Sequence, residues 1–528
     1  MLSESIRERK PPESCPVPAE QGNSNAPRPP PVEGSMKHLL CYFACLTAAM
    51  ADTPEQAAAR IDYALMHDYE MVQPRLQQVD CPPLPPVADD TTFLRRACID
   101  LAGRLPRPEE VRTFLADTSP DKHARLTDAL SREPGATEVR FRMLAEAFRV
   151  TDYEFKTIAW LRQAVAEDRP YAEIVAHMIG GWHVAEIDDG NVLRTAVEAA
   201  YTALGDDFYC AMCHDHPFNG HTEHEFYAFA ACFTGQKEMR LPTDYKYADG
   251  KPDEVVQPAL AGRWIRTDQD KLVQVVQWIT DEDTTRRFAL VASLRVWSGM
   301  FGMPGQEVDI SVGGMDEAEP WHGIQGRGKT NHYHRSCFSG SPRGAATWIG
   351  MGINSPGDFS QAPKVLIEEF LRCGGRLGEF QRTLARTEAY QRSGIDYNWM
   401  WRDCYLAPAP QIRRLPSEVI WKVVSGESDA QIPQVPPVGH PLRMLGRGTR
   451  EWTDESRTPT SHELVRFMMN DKLIEKAAAR HGNTSDLFLE LLGREPSTAE
   501  QAAISHHAAA DSDVAWALLN TTEFMYRP

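Results

Sequence analysis

Residues 93–117 read FLRRACIDLAGRLPRPEEVRTFLAD. Phe93, Leu94, Ala97 and Leu101 recur at helical spacing, and the pattern stops at Gly103. Pro108 then opens a second helix. Glu109 and Glu110 sit in its first turn, where carboxylates meet the positive end of the helix, and Val111, Phe114 and Leu115 share one face. Two short amphipathic helices joined by a glycine turn predict a helical protein, and the same pattern extends in both directions. Upstream, Asp52 to about Leu76 reads as a helix, followed by the rigid linker Cys81-Pro82-Pro83-Leu84-Pro85-Pro86. Downstream, Ser119-Pro120-Asp121 starts a helix carrying Leu126, Ala129 and Leu130. Further helices are expected over Arg142–Phe148, Ile158–Ala166, Tyr171–Ile179, Val192–Tyr209, Ala362–Phe380, Ser461–Asp471, Asp486–Leu492 and Ala499–Thr522. Leu241–Gly262 breaks the pattern: Tyr245-Lys246-Tyr247 alternates and Asp249-Gly250 is a turn signal, so a short hairpin or extended loop is expected. Asp309–Gly357 is Gly-rich and irregular, and Pro408–Pro410 and Gln431–Pro441 read as loops. No fixed-period repeat is visible. The expected class is mainly α: many helices, irregular Gly/Pro-rich loops and minor β structure.

The 528 residues carry 42% hydrophobic and 25% charged side chains, ordinary values for a chain that buries a core. The net charge of −18 argues against nucleic acid as a partner, because phosphate binding needs clustered Lys and Arg. Residues 1–35 are rich in Pro, Glu and Ser without apolar periodicity, and read as a disordered extension ahead of the true start at Met36. Met36-Lys37-His38, the apolar stretch Leu39–Ala49 and the small-x-small site Ala49-Met50-Ala51 have the layout of an export signal at 36–51. Cleavage near Ala51 would leave a periplasmic or otherwise exported chain beginning at Asp52, with no membrane span in the mature part. Eight cysteines remain in it: Cys81, Cys98, Cys210, Cys213, Cys232, Cys337, Cys373 and Cys404.

One motif carries chemistry. Cys210-Ala211-Met212-Cys213-His214 is C-x-x-C-H, the attachment pattern of a c-type haem. Thiols at i and i+3 share one side of a helical turn, where both can reach the vinyl groups of one porphyrin, and the histidine directly after the second thiol falls under the iron as an axial ligand. The helix Val192–Tyr209 delivers the motif. Thr222-Glu223-His224-Glu225 is a capping box opening a second helix with Phe226, Phe229, Ala230 and Phe233 on one face. This cytochrome-c-like motif therefore lies between two helices, in a polar loop with Asp215, His216 and His221. Two other readings stand beside haem c. One is a zinc site using Cys210, Cys213, His214 or His216. The other is a structural Cys210–Cys213 disulfide. A sixth iron ligand does not declare itself; Met239, Met143, His322, His332 and His334 are candidates. An open sixth position would favour ligand binding or catalysis over simple electron transfer.

Other constellations carry less. His332-Tyr333-His334 looks like a metal pair but reads as a surface loop. No metalloprotease, nucleophile-elbow or P-loop signature occurs. Arg413-Arg414 and the cluster Arg447 to Arg450 read as structural salt-bridge partners rather than an anion site, and Trp421, Trp452 and Trp516 as core residues rather than sugar platforms.

Residues 93–117, YCAMCHDHPFNGHTEHEFYAFAACFTG (209–235) and LPTDYKYADGKPDEVV (241–256) resemble the planctomycete cytochrome-like domain, an uncharacterised exported family. The segments at 289–302, 380–393, 413–421, 439–452, 458–471 and 487–500 resemble the domain of unknown function that usually follows it. The resemblance implies a cytochrome-like domain over 52–262 and a helical partner domain over 263–528. It supplies no reaction, so no enzyme activity is assigned. Cys210, Cys213, His214, Asp215, His216, Pro217 and Phe218 match the family motif. The chain departs from it at Met143-Leu144-Ala145-Glu146 before Arg149, where the family has His-Trp-Leu-Asp. It departs again at Trp421-Lys422, where the family has Trp-Asp, and at Leu294-Arg295 before Val296-Trp297, where the family has Asn-Arg. The functional expectation is an exported c-type-cytochrome-like protein that works with an unknown redox partner in electron transfer or haem-assisted oxidation. The alternative is a non-redox extracytoplasmic binding or scaffold protein with a structural metal or disulfide at the same motif.

Overall fold

The structure, a computed structural model, describes residues 53–76, 83–181, 189–205, 208, 210–215, 221–234, 238–260, 263–265, 269–280, 282–302, 361–395, 408–450, 462–480 and 484–527. The extension at 1–35, the export signal at 36–51 and His332-Tyr333-His334 lie outside these residues. What is described is mainly helical.

The opening helix is α1 (Pro54–Leu76), and residues 93–117 fold as read. Helix α2 (Asp90–Ala102) is capped by the Asp89 carboxylate, which accepts from the Thr92 N–H, and is stopped by Gly103 in the left-handed conformation. Helix α3 (Pro108–Ala116) follows with Val111 and Phe114 buried, then α4 (Lys122–Ser131) and α5 (Pro134–Ala147), the last longer than the apolar spacing alone indicated. Helices α6 (Phe155–Ala166), α7 (Tyr171–Gly181), α8 (Asp189–Leu204) and α9 (Glu223–Ala230) complete the first half.

Of the hairpin or extended loop expected over Leu241–Gly262, both occur: residues 241–254, with Tyr245-Lys246-Tyr247, are the loop of a hairpin. Its strands are β1 (Met239–Arg240) and β2 (Val255–Val256), antiparallel with Met239 opposite Val256. A second small hairpin pairs β3 (Ala259–Leu260) with β4 (Arg263–Trp264). Next come α10 (Lys271–Ile279), α11 (Glu282–Phe301), α12 (Ala362–Arg372), α13 (Leu377–Ala385) and α14 (Glu388–Gln391). The single helix expected over Ala362–Phe380 is thus two, because Gly374 and Gly375 both turn left-handed between them.

Strand β5 (Arg413–Arg414), α15 (Ser417–Ser425), α16 (Pro441–Met444), α17 (His462–Asn470) and α18 (Lys472–Ala478) lead to α19 (Thr484–Leu492). The run expected over Ala499–Thr522 breaks into α20 (Thr498–His507), α21 (Asp511–Leu519) and α22 (Thr522–Met525), since Ala508 leaves α20 in a left-handed conformation. The chain returns as β6 (Tyr526–Arg527), antiparallel to β5.

Helix α2 is the hub. Every residue from Phe93 to Ala102 is buried, three of them charged. Arg95 donates to the Phe524 carbonyl at 3.0 Å and Arg96 to the Arg392 carbonyl at 2.7 Å. Asp100 accepts from the Tyr390 hydroxyl at 2.9 Å and pairs with Arg527. These bonds tie one early helix to three late segments. Ile99 and Leu105 enter one apolar core with Leu415, Ile420, Leu487 and Leu519. Elsewhere α1 packs on α12 and α13, and α8 on α11.

The structure also holds two copies of one local arrangement, in α2–α5 and α19–α22. Gly103 and Gly493 end their helices left-handed, and each is followed by an arginine. Arg104 grips Glu110 at 2.7 and 2.8 Å and Glu133 at 2.6 and 2.8 Å. Arg494 grips Glu500 at 2.9 and 2.9 Å and Glu523 at 2.7 and 2.7 Å. In both, the same guanidinium also bonds the carbonyl of the next residue, Leu105 or Glu495. The partners fall at the same sequence distances from the arginine in both copies. The reading for a fixed-period repeat misses this pair, because two copies nearly a chain length apart make no period.

Candidate functional site

The route into the motif differs from the expected helix Val192–Tyr209. Helix α8 ends at Leu204, where Gly205 turns left-handed and its N–H caps the Tyr201 carbonyl at 3.0 Å. Phe208 then anchors the chain. Its ring lies 4.4 Å from His221, 5.8 Å from Phe226 and 5.7 Å from Phe229, from α9 and the residues just before it. Cys210 follows two residues later.

Cys210–Met212 form a 3-10 turn in which the Cys213 and His214 N–H groups both donate to the Cys210 carbonyl at 3.2 Å. Three residues per turn eclipse positions i and i+3, so the two thiols stand on one side. Cys210 is half-buried and Cys213 exposed, and no disulfide joins them. His214 is exposed, with Nδ1 2.8 Å from the Asp215 carbonyl. A carbonyl can only accept, so Nδ1 carries the proton and the lone pair of the neutral ring resides on Nε2.

Helix α9 holds this loop in place. The expected capping box is present: Thr222 Oγ1 accepts from the Glu225 N–H at 3.1 Å, and Glu225 returns the bond to the Thr222 N–H at 2.9 Å. Asp215 accepts from the Glu223 N–H at 3.0 Å, at the positive end of α9. The Asp215 N–H donates to the Tyr247 hydroxyl at 3.2 Å. The Tyr-Lys-Tyr stretch thus serves as a strap over the loop rather than as a strand.

The setting is acidic. Burial, then the Asp244 and Asp215 carboxylates, push the Glu223 carboxyl above its usual range, while His214 pulls it down. Burial, with Glu223, Cys213 and Asp244 behind it, pushes the Tyr227 phenol up to about 12. Burial also raises Tyr245, which donates to Asp249.

Of the other sequence candidates, Met239 is buried in β1, which packs on α9, and Met143 lies half-buried on α5. His216, His322, His332 and His334 lie outside the described residues. Among the described residues, no group of three or more His, Cys, Asp or Glu side chains is arranged to hold a metal ion. No described helix is long and apolar enough to cross a membrane.

The salt-bridge partners expected at Arg447 to Arg450 are found for Arg447 and Arg450, inside a buried charged cluster whose carboxylates the sequence did not single out. Glu146 and Lys422, at two of the departures named above, lie in one network. Arg447 pairs with Glu418 and lies 3.6 Å from Glu146; Lys422 bonds Asp429 at 3.0 Å, and Asp429 also pairs with Arg142. Burial opposes charge on Glu418, but Arg447 and Arg142 hold its carboxyl down to about 2. Burial and Arg142 bring Lys422 down to about 8. Arg295, at the third departure, donates to the Tyr171 hydroxyl at 3.0 Å and the Thr202 carbonyl at 3.1 Å.

Fold and site define a mainly helical protein with an eclipsed Cys-x-x-Cys-His turn presented at the head of a capped helix. Residues 69–238, which include that turn, match the family described as PSCyt2, protein of unknown function (DUF1549). No curated protein and no solved structure matches the chain.

Proposed function

We propose that this chain is an exported c-type-cytochrome-like protein that binds haem covalently through Cys210 and Cys213, with His214 as the axial ligand. The observation that carries the reading is the His214–Asp215 bond, which leaves Nε2 as the lone-pair nitrogen beside two thiols on one side of the turn. The resemblance of 209–235 to a cytochrome-like family supports the same ligand set. A bound haem would supply one-electron chemistry. The chain's own part is orientation: Asp215 holds the imidazole by its carbonyl, the α9 N-terminus and Tyr247 hold Asp215, and Phe208 anchors the turn from behind. The carboxylates of Asp215, Glu223, Asp244 and Asp249 would stabilise the more positive, oxidised iron and so favour a low reduction potential. Export through the signal at 36–51 belongs to the same proposal, since sequencing of mature protein is expected to begin at Asp52.

The test is spectroscopic. Protein made with haem-attachment machinery is expected to keep a Soret band after acid–acetone extraction. Cys210→Ala or Cys213→Ala is expected to leave one thioether or none, and His214→Ala to disturb the visible spectrum more than His216→Ala. Absence of visible absorbance, with equal loss of bound zinc from the two histidine variants, would replace this reading by the non-redox alternative.

A further inference from the structure

We infer that His123 is a pH-sensitive clasp: a doubly protonated imidazole that ties the start of α4 to α2 and α14, and releases α14 when it loses a proton. Each ring nitrogen meets an acceptor. Nε2 lies 2.9 Å from Asp90 Oδ1 on α2, and Nδ1 lies 2.9 Å from Gln391 Oε1 on α14. The far side of the Gln391 amide fixes which of its atoms faces the ring, since Gln391 Nε2 donates to the Arg386 carbonyl at 3.3 Å. A carboxylate oxygen and an amide oxygen only accept. Both ring nitrogens must therefore donate, and only the charged ring carries two N–H groups.

A neutral ring keeps one N–H. With the proton on Nε2, the Nδ1 lone pair faces the Gln391 oxygen; with the proton on Nδ1, the Nε2 lone pair faces a carboxylate. Turning the Gln391 amide over moves the conflict without removing it, because its oxygen would then face the Arg386 carbonyl. Asp90 is charged and is the stronger acceptor, so the Gln391 contact is the one that opens. Gln391 also sits where α14 meets residues 86–88. The Ala88 N–H donates to the Gln391 carbonyl at 2.8 Å and the Ser393 N–H to the Pro86 carbonyl at 2.9 Å. Opening the clasp loosens that junction.

The surroundings suit a cation. The ring stacks on Phe93 with centroids 4.0 Å apart and 14° between the planes. Lys122 shares Asp90 but takes its other oxygen, at 2.5 Å. Burial opposes charge on Asp90, but its bonds from Lys122 and His123 hold the carboxyl below its ordinary range. Helix α3 presents the uncharged Phe114 ring, 5.6 Å away. Beyond α13, Arg386 bonds Asp128 at 2.8 Å and Glu55 at 3.1 Å, and on α14 Glu388 pairs with Arg392. The His123 side chain is 24% exposed, so protons reach it from solvent. The folded state needs this proton and the unfolded chain does not. The clasp's contribution is therefore complete on the acid side of the ordinary histidine value, about 6.5, and is lost as pH rises and the proton leaves.

Magnetic resonance of full-chain protein, isotopically labelled at its histidine nitrogens, tests the charge directly. The His123 signal is the one missing from His123→Gln, which keeps a donor for Asp90. At about pH 7, where an ordinary histidine is mostly neutral, both His123 nitrogens are expected to carry a proton. Hydrogen exchange, corrected for its intrinsic pH dependence, tests the release. Residues 386–395 are expected to open about tenfold more often at about pH 9 than at about pH 6. His123→Phe keeps the stack and loses both bonds, so it is expected to exchange rapidly there at either pH. A single protonated ring nitrogen at about pH 7 overturns the proposal. So does exchange over 386–395 that does not change with pH in the parent, or a change that persists undiminished in His123→Phe.

Discussion

Arg104 and Arg494 make the same bonds in two different surroundings. Each follows a left-handed glycine, grips the third residue of the next helix and reaches a glutamate two helices further on. The side chain of Arg104 is 18% exposed and that of Arg494 30%; Glu133 is 27% exposed and Glu523 45%. Helix α3 buries Val111 and Phe114, whereas α20 buries none of its residues. The two copies touch: α19 packs on α3, Arg112 pairs with Asp486, and Arg95 donates to the Leu491 carbonyl. A local hydrogen-bond code can therefore be written twice, but its contribution to stability depends on how much water the tertiary structure excludes from it.

The largest test of that difference removes the forks. Arg104→Met is expected to lower unfolding free energy by about 3 kcal/mol, because two half-buried carboxylates lose their partner, and Arg494→Met by about 1 kcal/mol. Urea denaturation of both variants checks it, and equal losses would break the comparison.

The glycines give the next largest effect. A methyl at Gly103 would meet Val139 Cγ2 at 2.9 Å, whereas at Gly493 the nearest atom is Arg95 Cβ at 3.5 Å. Both positions carry the left-handed strain, so Gly493→Ala is expected to cost about 1 kcal/mol and Gly103→Ala about 2 kcal/mol. Equal losses in thermal unfolding would assign the cost to backbone strain alone.

Capping and pH give smaller effects. Ser497 Oγ accepts from the Glu500 N–H at 3.3 Å, so Ser497→Ala is expected to cost about 1 kcal/mol, while Arg107→Ser, which transplants that cap, is expected to add about 0.5 kcal/mol. The Glu500 carboxyl is held down to about 2 by its bonds from Arg494, below the ordinary 4.5. A carboxyl depressed in the folded state stabilises above its unfolded value, and that stability is lost as pH falls from about 4.5 toward 2. Unfolding measured across that window is expected to show the loss in the parent and a shallower slope in Arg494→Met.

Legibility followed the range of the interactions. Helices α2, α3 and α9, with the stop at Gly103, the proline start at Pro108 and the Thr222–Glu225 box, are local events, and their residues announce them. Helix α8 ends before its apolar spacing does, because Phe208 continues that spacing while its ring belongs to an aromatic cluster beyond the helix. Cys210, Cys213 and His214 could be named from spacing, but not the Asp215 carbonyl that fixes the imidazole, since backbone acceptors leave no mark in sequence. Burial of Arg95, Arg96, Arg447 and Arg450 ran against what charged side chains suggest, and only their distant carbonyl and carboxylate partners account for it.

The sequence alone determined a mainly helical chain with a thiol–thiol–histidine turn beside a capped helix, because periodicity, caps and a five-residue motif each act within a few residues. Tertiary structure alone decided that α2 holds the C-terminal strand, that two arginine forks at opposite ends of the chain pack side by side, and that Glu146 meets Arg447 and Arg450. Those outcomes rest on contacts between residues hundreds of positions apart, whose energies depend on shared burial, and no local pattern encodes which distant partner will exclude the water.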